Sequence, residues 1–234
     1  MTKKTIGIIG GMGPLATADL FNKIVLNTVA GCDQDHLRVV IDNNPAIPDR
    51  TAALLDGGED PMPALLKGAE NLISLGADML LIPCNTAHGF YDKLVGEIDV
   101  PVIHMVDSAC EEMEHLGVKK AGLLATNGCV RAGIYQHFAE NRKIELLLPT
   151  ETEQKAIHEL IYRGVKPNNP DYDASAVRAI AERLIENGAK AVILGCTELP
   201  LAWPMYGLCD IPHIDPTLIL ARKAVSLAGG ELKK

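Results

Sequence analysis

Short runs of Ile, Val and Leu recur along the chain, separated by longer stretches in which apolar residues return every three or four positions. The runs are TIGIIG (5–10), RVVIDN (38–43), DMLLIP (78–83), PVIHMV (101–106), AGLLAT (121–126), IELLL (144–148), KAVILG (190–195) and IPHID (211–215). Continuous apolar runs of this length predict strands covered on both faces, and the stretches between them predict amphipathic helices. Helix starts are marked by Pro14 after Gly13, by Pro61 and Pro63 before ALLKGAENLISLG, and by Ser175 before AVRAIAERLIENG. Gly76 and Gly188 stand where two of these helices should stop. Strand and helix alternate throughout, so the fold class is α/β with mostly parallel sheets.

The two halves of the pattern correspond. TIGIIGG matches AGLLATNG, GADMLLIPCNTA matches GAKAVILGCTEL, and VPVIHMVDS matches IPHIDPT, at an offset of about 111 to 115 positions. A near-constant offset over several elements is the trace of a duplicated unit, which predicts two similar lobes related by a pseudo-two-fold axis, with a cleft between them. The expected division is 1–115 for the first lobe, 116–207 for the second, and a return of 208–234 to the first. In open parallel sheets ligands bind beyond the carboxyl ends of strands, and Cys84 and Cys196 both fall there.

Composition narrows the partners. With a net charge of -8 and a pI near 5.4 the chain repels polyanions, so neither nucleic acid nor an anionic membrane is an expected partner. No apolar stretch reaches the roughly 20 residues of a spanning helix, and the first apolar run is broken by glycines and Pro14, so a cytoplasmic location is expected. The six cysteines contain no C-x-x-C pair and no zinc spacing. Neither metal nor cofactor is expected, and Cys32, Cys110 and Cys209 are assigned to packing.

Two matched thiols on opposite walls suit one chemistry in particular. Inverting a carbon acid requires a base on one face of the carbon and an acid on the other, and the two sulfurs exchange these roles in the reverse direction. A helix N-terminus after each strand is expected to lower the thiol pKa from about 8.5. Stabilising the carbanion requires fixed donors around a carboxylate. Asn85, Thr86, Thr197 and Glu198, directly after the cysteines, are the candidates, with Met12 and the neighbouring glycines allowing a small substrate close to the first helix.

In GIIGGMGPLAT (7–17), NNPAIPDRT (43–51), PCNTAH (83–88), the YRGVK region (162–166), GCTELPL (195–201) and IDPT (214–217), the chain resembles the aspartate/glutamate racemases that work without pyridoxal phosphate. It looks closest to their aspartate branch. The resemblance implies two α/β lobes, Cys84 and Cys196 as the catalytic pair, an acidic amino acid as substrate, and a homodimer. It also implies that Arg50 and Lys166 clamp the side-chain carboxylate, a task that suits an arginine fork. One stretch departs from the pattern. Where the family usually has Thr-x-Gly-Thr followed three residues on by serine, TNGCVRAG (126–133) keeps Thr126 but has Cys129 and Ala132, so two hydroxyls expected at the substrate are missing.

Within the class, glutamate or a broader range of amino acids competes with aspartate, since one methylene is discriminated by only about 1–3 kcal/mol; three readings of other kinds also compete. GMGPLA (11–16) fits a dinucleotide-binding turn, although the acidic residue expected about 20 positions on is absent and Pro14 is unusual there. Cys84 with His88 one helical turn on could form a nucleophile and base pair, which leaves Cys196 without a role. A non-catalytic amino acid sensor would keep Arg50 and Lys166 but has no use for paired thiols.

Overall fold

Each of the eight apolar runs contains a strand in the computed structural model, which describes residues 3–233. The first sheet holds β1 (Ile6–Gly10), β2 (Val39–Asn43), β3 (Met79–Leu81) and β4 (Val102–Ile103). The second holds β5 (Lys120–Ala125), β6 (Glu145–Leu147), β7 (Val192–Gly195) and β8 (His213–Ile214). The spatial orders are β2-β1-β3-β4 and β6-β5-β7-β8, and every pairing is parallel. Strand for strand the second sheet repeats the first. The edge strands β4 and β8 are shorter than their apolar runs because each begins after a proline, whose carbonyl still accepts: Leu80 N–H donates to Pro101 O and Val192 N–H to Pro212 O, both at 2.9 Å.

The helices of the first half are α1 (Pro14–Asn27), α2 (Arg50–Leu55), α3 (Met62–Ser74), α4 (Tyr91–Val95) and α5 (Met105–His115). Those of the second are α6 (Asn127–Arg131), α7 (Gln136–Asn141), α8 (Glu151–Glu159), α9 (Ser175–Glu186), α10 (Leu199–Met205) and α11 (Pro216–Leu227). Pro14 opens α1, where its missing N–H costs nothing. Ser175 is the first residue of α9 and not its cap; the Asp173 carboxylate receives its N–H at 2.9 Å. After α3 and α9 the chain turns at Gly76 (φ +85°) and Gly188 (φ +95°), a conformation that a side chain would strain.

Two helices bind the lobes together by changing sides. α5, which follows β4 of the first sheet, buries Val106, Ala109, Cys110 and Met113 in a cluster with Ala121, Leu123 and Ile193 of the second. α11, which follows β8 of the second sheet, buries Leu220, Ala221, Ala224 and Val225 with Ile6, Ile8 and Met79 of the first. The segment after residue 207 is thus shared, its strand in one sheet and its helix on the other. Because each lobe's core includes the other's last helix, the lobes cannot drift apart without exposing both cores.

Candidate active site

β3 and β7 end at the same face of the molecule, and the next residues bring Cys84 and Cys196 to one small chamber between the lobes. Its walls are Met12, Asp49, Arg50, Thr51, Cys84, Asn85, Thr86, Thr126, Tyr162, Lys166, Cys196, Thr197 and Glu198. All ten residues singled out in the sequence are among them. Asp49, Thr51 and Tyr162 were not singled out. The chamber holds about 20 Å³, roughly one water molecule. It adjoins an outer cavity of about 430 Å³ bounded by Gly11–Leu15, Pro45, Ile47, Val165 and, shared with the chamber, Met12, Asp49, Arg50, Lys166 and Glu198. These shared side chains stand between the chamber and the outer cavity.

Glu198 is the electrostatic hinge of the site. Only 4% exposed, it accepts from the Cys196 thiol at 2.9 Å on one oxygen and from Lys166 Nζ at 2.8 Å on the other. Burial, then the charge of Glu198, push the Cys196 thiol well above its ordinary pKa. This corrects the expectation of a lowered thiol: α10 begins only at Leu199, and the nearest full charge is negative. Burial also works against the Lys166 ammonium, but the charge and hydrogen bond of Glu198 outweigh it and hold its pKa above the usual lysine value. A Cβ on Gly13 would stand 3.2 Å from Glu198 Oε1, so this carboxylate occupies the ground at the start of α1 where a dinucleotide's pyrophosphate would lie. GMGPLA is therefore a close approach to a carboxylate and not a nucleotide turn.

Hydrogen bonds stitch the lobes around the sulfurs. Thr86 and Thr126 share a bond of 2.8 Å between their hydroxyls, Thr197 donates to Pro83 O at 3.2 Å, and Tyr135 donates to Asn85 Oδ1 at 2.7 Å. Gly128 permits the closest approach, since a Cβ there would meet Thr51 Oγ1 at 2.6 Å and Thr51 Cα at 3.0 Å. Two buried donors on the chamber, Asn85 Nδ2 and Arg50 Nε, have no partner among the described residues. Buried N–H groups without acceptors are costly, and a carboxylate is the ligand that satisfies them. Arg50 is already aimed by its terminal nitrogen, which donates to Ile47 O at 3.0 Å and Pro48 O at 2.9 Å.

Three expectations are corrected. Cys129 is fully buried in the second lobe's core, its thiol pushed up by burial, and it does not line the chamber; Ala132 is exposed and borders a different cavity. The two absent hydroxyls therefore leave the chamber walls unchanged. His88 is no base for Cys84. Met105 N–H donates to its Nε2 at 3.0 Å, so Nδ1 carries the proton and donates to Cys84 O at 2.9 Å, away from the sulfur. Cys32 and Cys209 are exposed and not packing residues, while Cys110 is buried as expected. Among the described residues no group of three or more His, Cys, Asp or Glu is placed to hold a metal, and no helix is long and apolar enough to cross a membrane.

Two like lobes, with matched cysteines after the third strand of each and an interlobe chamber with unpartnered N–H donors, define a two-lobed α/β protein with its candidate site between the lobes. The chain belongs to the Asp/Glu/Hydantoin racemase family, which matches residues 9–224. It is similar over 99% of its length to the aspartate racemase of Picrophilus torridus, 96% of which is covered, at 34% identity and a TM-score of 0.88. An aspartate racemase homologue from Pyrococcus horikoshii matches at 27% identity and a TM-score of 0.76, with 97% of this chain and 99% of that one covered. The broad specificity amino-acid racemase RacX of Bacillus subtilis is 28% identical over 227 residues, which are 94% of this chain and 96% of the relative.

The neutral state of His88 makes stability depend on pH. Burial, then the neighbouring His104, bring its pKa down to about 3 from 6.5. Below pH 6.5 the unfolded chain binds a proton that folded His88 refuses, so stability is full at neutral pH and falls as the solution is acidified. We expect a loss approaching 1.4 kcal/mol per pH unit from this residue well below pH 6.5. Urea unfolding between pH 7.5 and 5 checks it, and His88→Gln should flatten the slope; equal slopes in both proteins would remove His88 as the cause.

Proposed function

We propose that the chain racemises an acidic amino acid, L-aspartate to D-aspartate and back, with Cys84 and Cys196 as opposed acid and base and with neither metal nor organic cofactor taking part. The observation that carries this reading is the meeting of two repeat-related cysteines on one interlobe chamber that also has unpartnered donors. One sulfur, as thiolate, takes the Cα proton. The electron pair left behind spreads into the α-carboxylate, where Asn85 Nδ2 and the hydroxyls of Thr86, Thr126 and Thr197 stand to receive it. The other sulfur, as thiol, delivers its proton to the opposite face of Cα and becomes the thiolate.

The resting arrangement favours Cys196 as the thiol, since its proton is already held by Glu198. Arg50 and Lys166 serve as the clamp for the side-chain carboxylate, with Lys166 released from Glu198 as the substrate arrives. Asp49, on both the chamber and the outer cavity, supplies the anion for the substrate ammonium. A second reading has its own support. Asp49 and Glu198 balance Arg50 and Lys166 charge for charge, and the outer cavity of about 430 Å³ exceeds what the side chain of aspartate fills. A broad-specificity amino acid racemase is the runner-up on that ground.

We further propose a homodimer formed through α1. Its two charged side chains turn inward, Lys23 pairing with Asp19 at 2.5 Å and with Asp215 at 2.8 Å. Ala16, Leu20 and Ile24 face the core, but a second set of apolar side chains turns outward: Leu15, Phe21, Leu26 and, just beyond the helix end, Val29 are 45%, 41%, 57% and 43% exposed. An uncharged apolar strip on a chain of net charge -8 is where two copies meet with the least repulsion.

Three outcomes are expected. Reduced enzyme in D2O with L-aspartate should exchange the Cα proton for deuterium and accumulate the D-isomer, and Cys84→Ser and Cys196→Ser should each cut racemisation at least a hundredfold. NMR with chiral chromatography checks this with aspartate, glutamate and longer amino acids in parallel; no exchange with any of them would sink the racemase reading. In Glu198→Gln the negative charge that helps to raise the Cys196 thiol is gone, so the alkaline limb of the kcat/KM profile should move to lower pH; an unmoved limb would uncouple Glu198 from the thiol. Phe21→Glu should shift the mass from light scattering toward the 25.1 kDa monomer, and a variant as large as the native protein would place the interface elsewhere.

A further inference from the structure

The residue that holds Asn85 in its working orientation lies outside the chamber. Tyr135, between α6 and α7 of the second lobe, is fully buried, and its hydroxyl donates at 2.7 Å to Oδ1 of Asn85 in the first lobe. Asn85 is 2% exposed and borders the chamber, and its other amide atom, Nδ2, has no partner. A buried O–H needs an acceptor, and among the described residues the tyrosine hydroxyl has only this amide. Its proton therefore goes to Oδ1, and the planarity of the amide leaves Nδ2 as the group on offer. Turned by half a rotation, the same amide would set a carbonyl oxygen against an incoming carboxylate.

The geometry points to Tyr135 as a positioning residue that fixes the Asn85 amide so that its N–H, and not its carbonyl, meets the substrate carboxylate. Its ring is buried in the second lobe's apolar cluster, which also holds Val106, Ala109, Cys129 and Ala139, where close packing leaves it little room to move. Burial raises the phenol well above its ordinary pKa, so the hydroxyl remains a donor across the working range. Because the bond joins the two lobes, the donor is set only when they are together. The identity of the ligand as an amino acid carboxylate rests on the racemase reading above.

The test is a double-mutant cycle on aspartate racemisation, with kcat and KM measured for the native protein, Tyr135→Phe, Asn85→Ala and the double variant. Removing the hydroxyl alone should lower kcat/KM on the order of tenfold, the worth of about one buried hydrogen bond, with little change in Tm. In the Asn85→Ala background the same change should cost less than about twofold, since Tyr135 acts only through the amide. An equal loss in both backgrounds, no loss in either, or a Tyr135→Phe that does not fold would mark the hydroxyl as structural or idle and overturn its assigned role. Asn85→Asp gives an arm that leaves Tyr135 in place: it still accepts from the phenol but offers oxygen to the substrate, so kcat/KM should fall at least as far as in Asn85→Ala. Native activity in Asn85→Asp overturns the assignment as well. Failure of the native protein to exchange the Cα proton is a different result, which removes the racemase reading and the role of Tyr135 with it.

Discussion

The site depends on one constraint, the fixed relation between two parallel sheets. A parallel sheet delivers all its carboxyl ends to one side, so residues that follow equivalent strands of a duplicated unit occupy equivalent places. Cys84 and Cys196 meet because β3 and β7 hold the same position in their sheets and because α5 and α11 each lie in the other lobe's core. That exchange of helices sets the angle between the lobes by packing, and the hydrogen bonds from Thr86, Thr197 and Tyr135 refine it near the sulfurs. No single bond carries the geometry. Side chains buried in close-packed cores have little freedom to move, which is what a reaction with two bases on a single carbon requires.

Charge inside the cleft is distributed differently from charge on the whole molecule. The chain carries -8, yet the outer cavity and chamber share two cations and two carboxylates. Lys166 is neutralised by Glu198 in the resting state, so the cleft is not an indiscriminate trap for anions. The buried Nε of Arg50 and Nδ2 of Asn85, by contrast, have no partner among the described residues. The proposed substrate, with two carboxylates, offers one for Asn85 and the hydroxyls and one for Arg50 and Lys166.

The fold was legible because buried parallel strands write themselves as uninterrupted apolar runs, and the repeat supplied the pairing of β3 with β7 that isolated runs could not. The cysteines were legible for the same reason. Arg50 and Lys166 were not, on their own: an arginine at a helix start and a lysine beside Pro167 look like solvent-facing residues, and only the resemblance singled them out. Cys129 and Ala132 were misread because the α6 turn sends one into the core and the other outward, a direction that linear distance from Thr126 does not carry. Tyr135, Asp49 and Tyr162 left no periodic trace. Their meaning lies in approaches across the lobes, such as the 50 positions between Tyr135 and Asn85. The expected lowering of the thiol pKa failed because Glu198 was taken as a substrate contact, when it stands first against the sulfur two residues before it.

The duplication is imperfect where it matters most. Cys84 is followed by Asn85 and Thr86, Cys196 by Thr197 and Glu198, so one sulfur lies beside a carboxylate that the other lacks. For a reaction whose two products are mirror images the equilibrium constant is one, whatever the enzyme does. Unequal thiols cannot favour one enantiomer; they can only set which form of the free enzyme waits for substrate. In the proposed two-base reaction each turnover leaves the proton on the opposite sulfur, so an enzyme given a single enantiomer would have to return that proton before acting again in the same direction. Glu198, hydrogen-bonded to Cys196 and to Lys166 and bordering the outer cavity, sets one sulfur apart from the other. Symmetry of the fold brings the two sulfurs together, and the break in that symmetry at Glu198 makes them unequal.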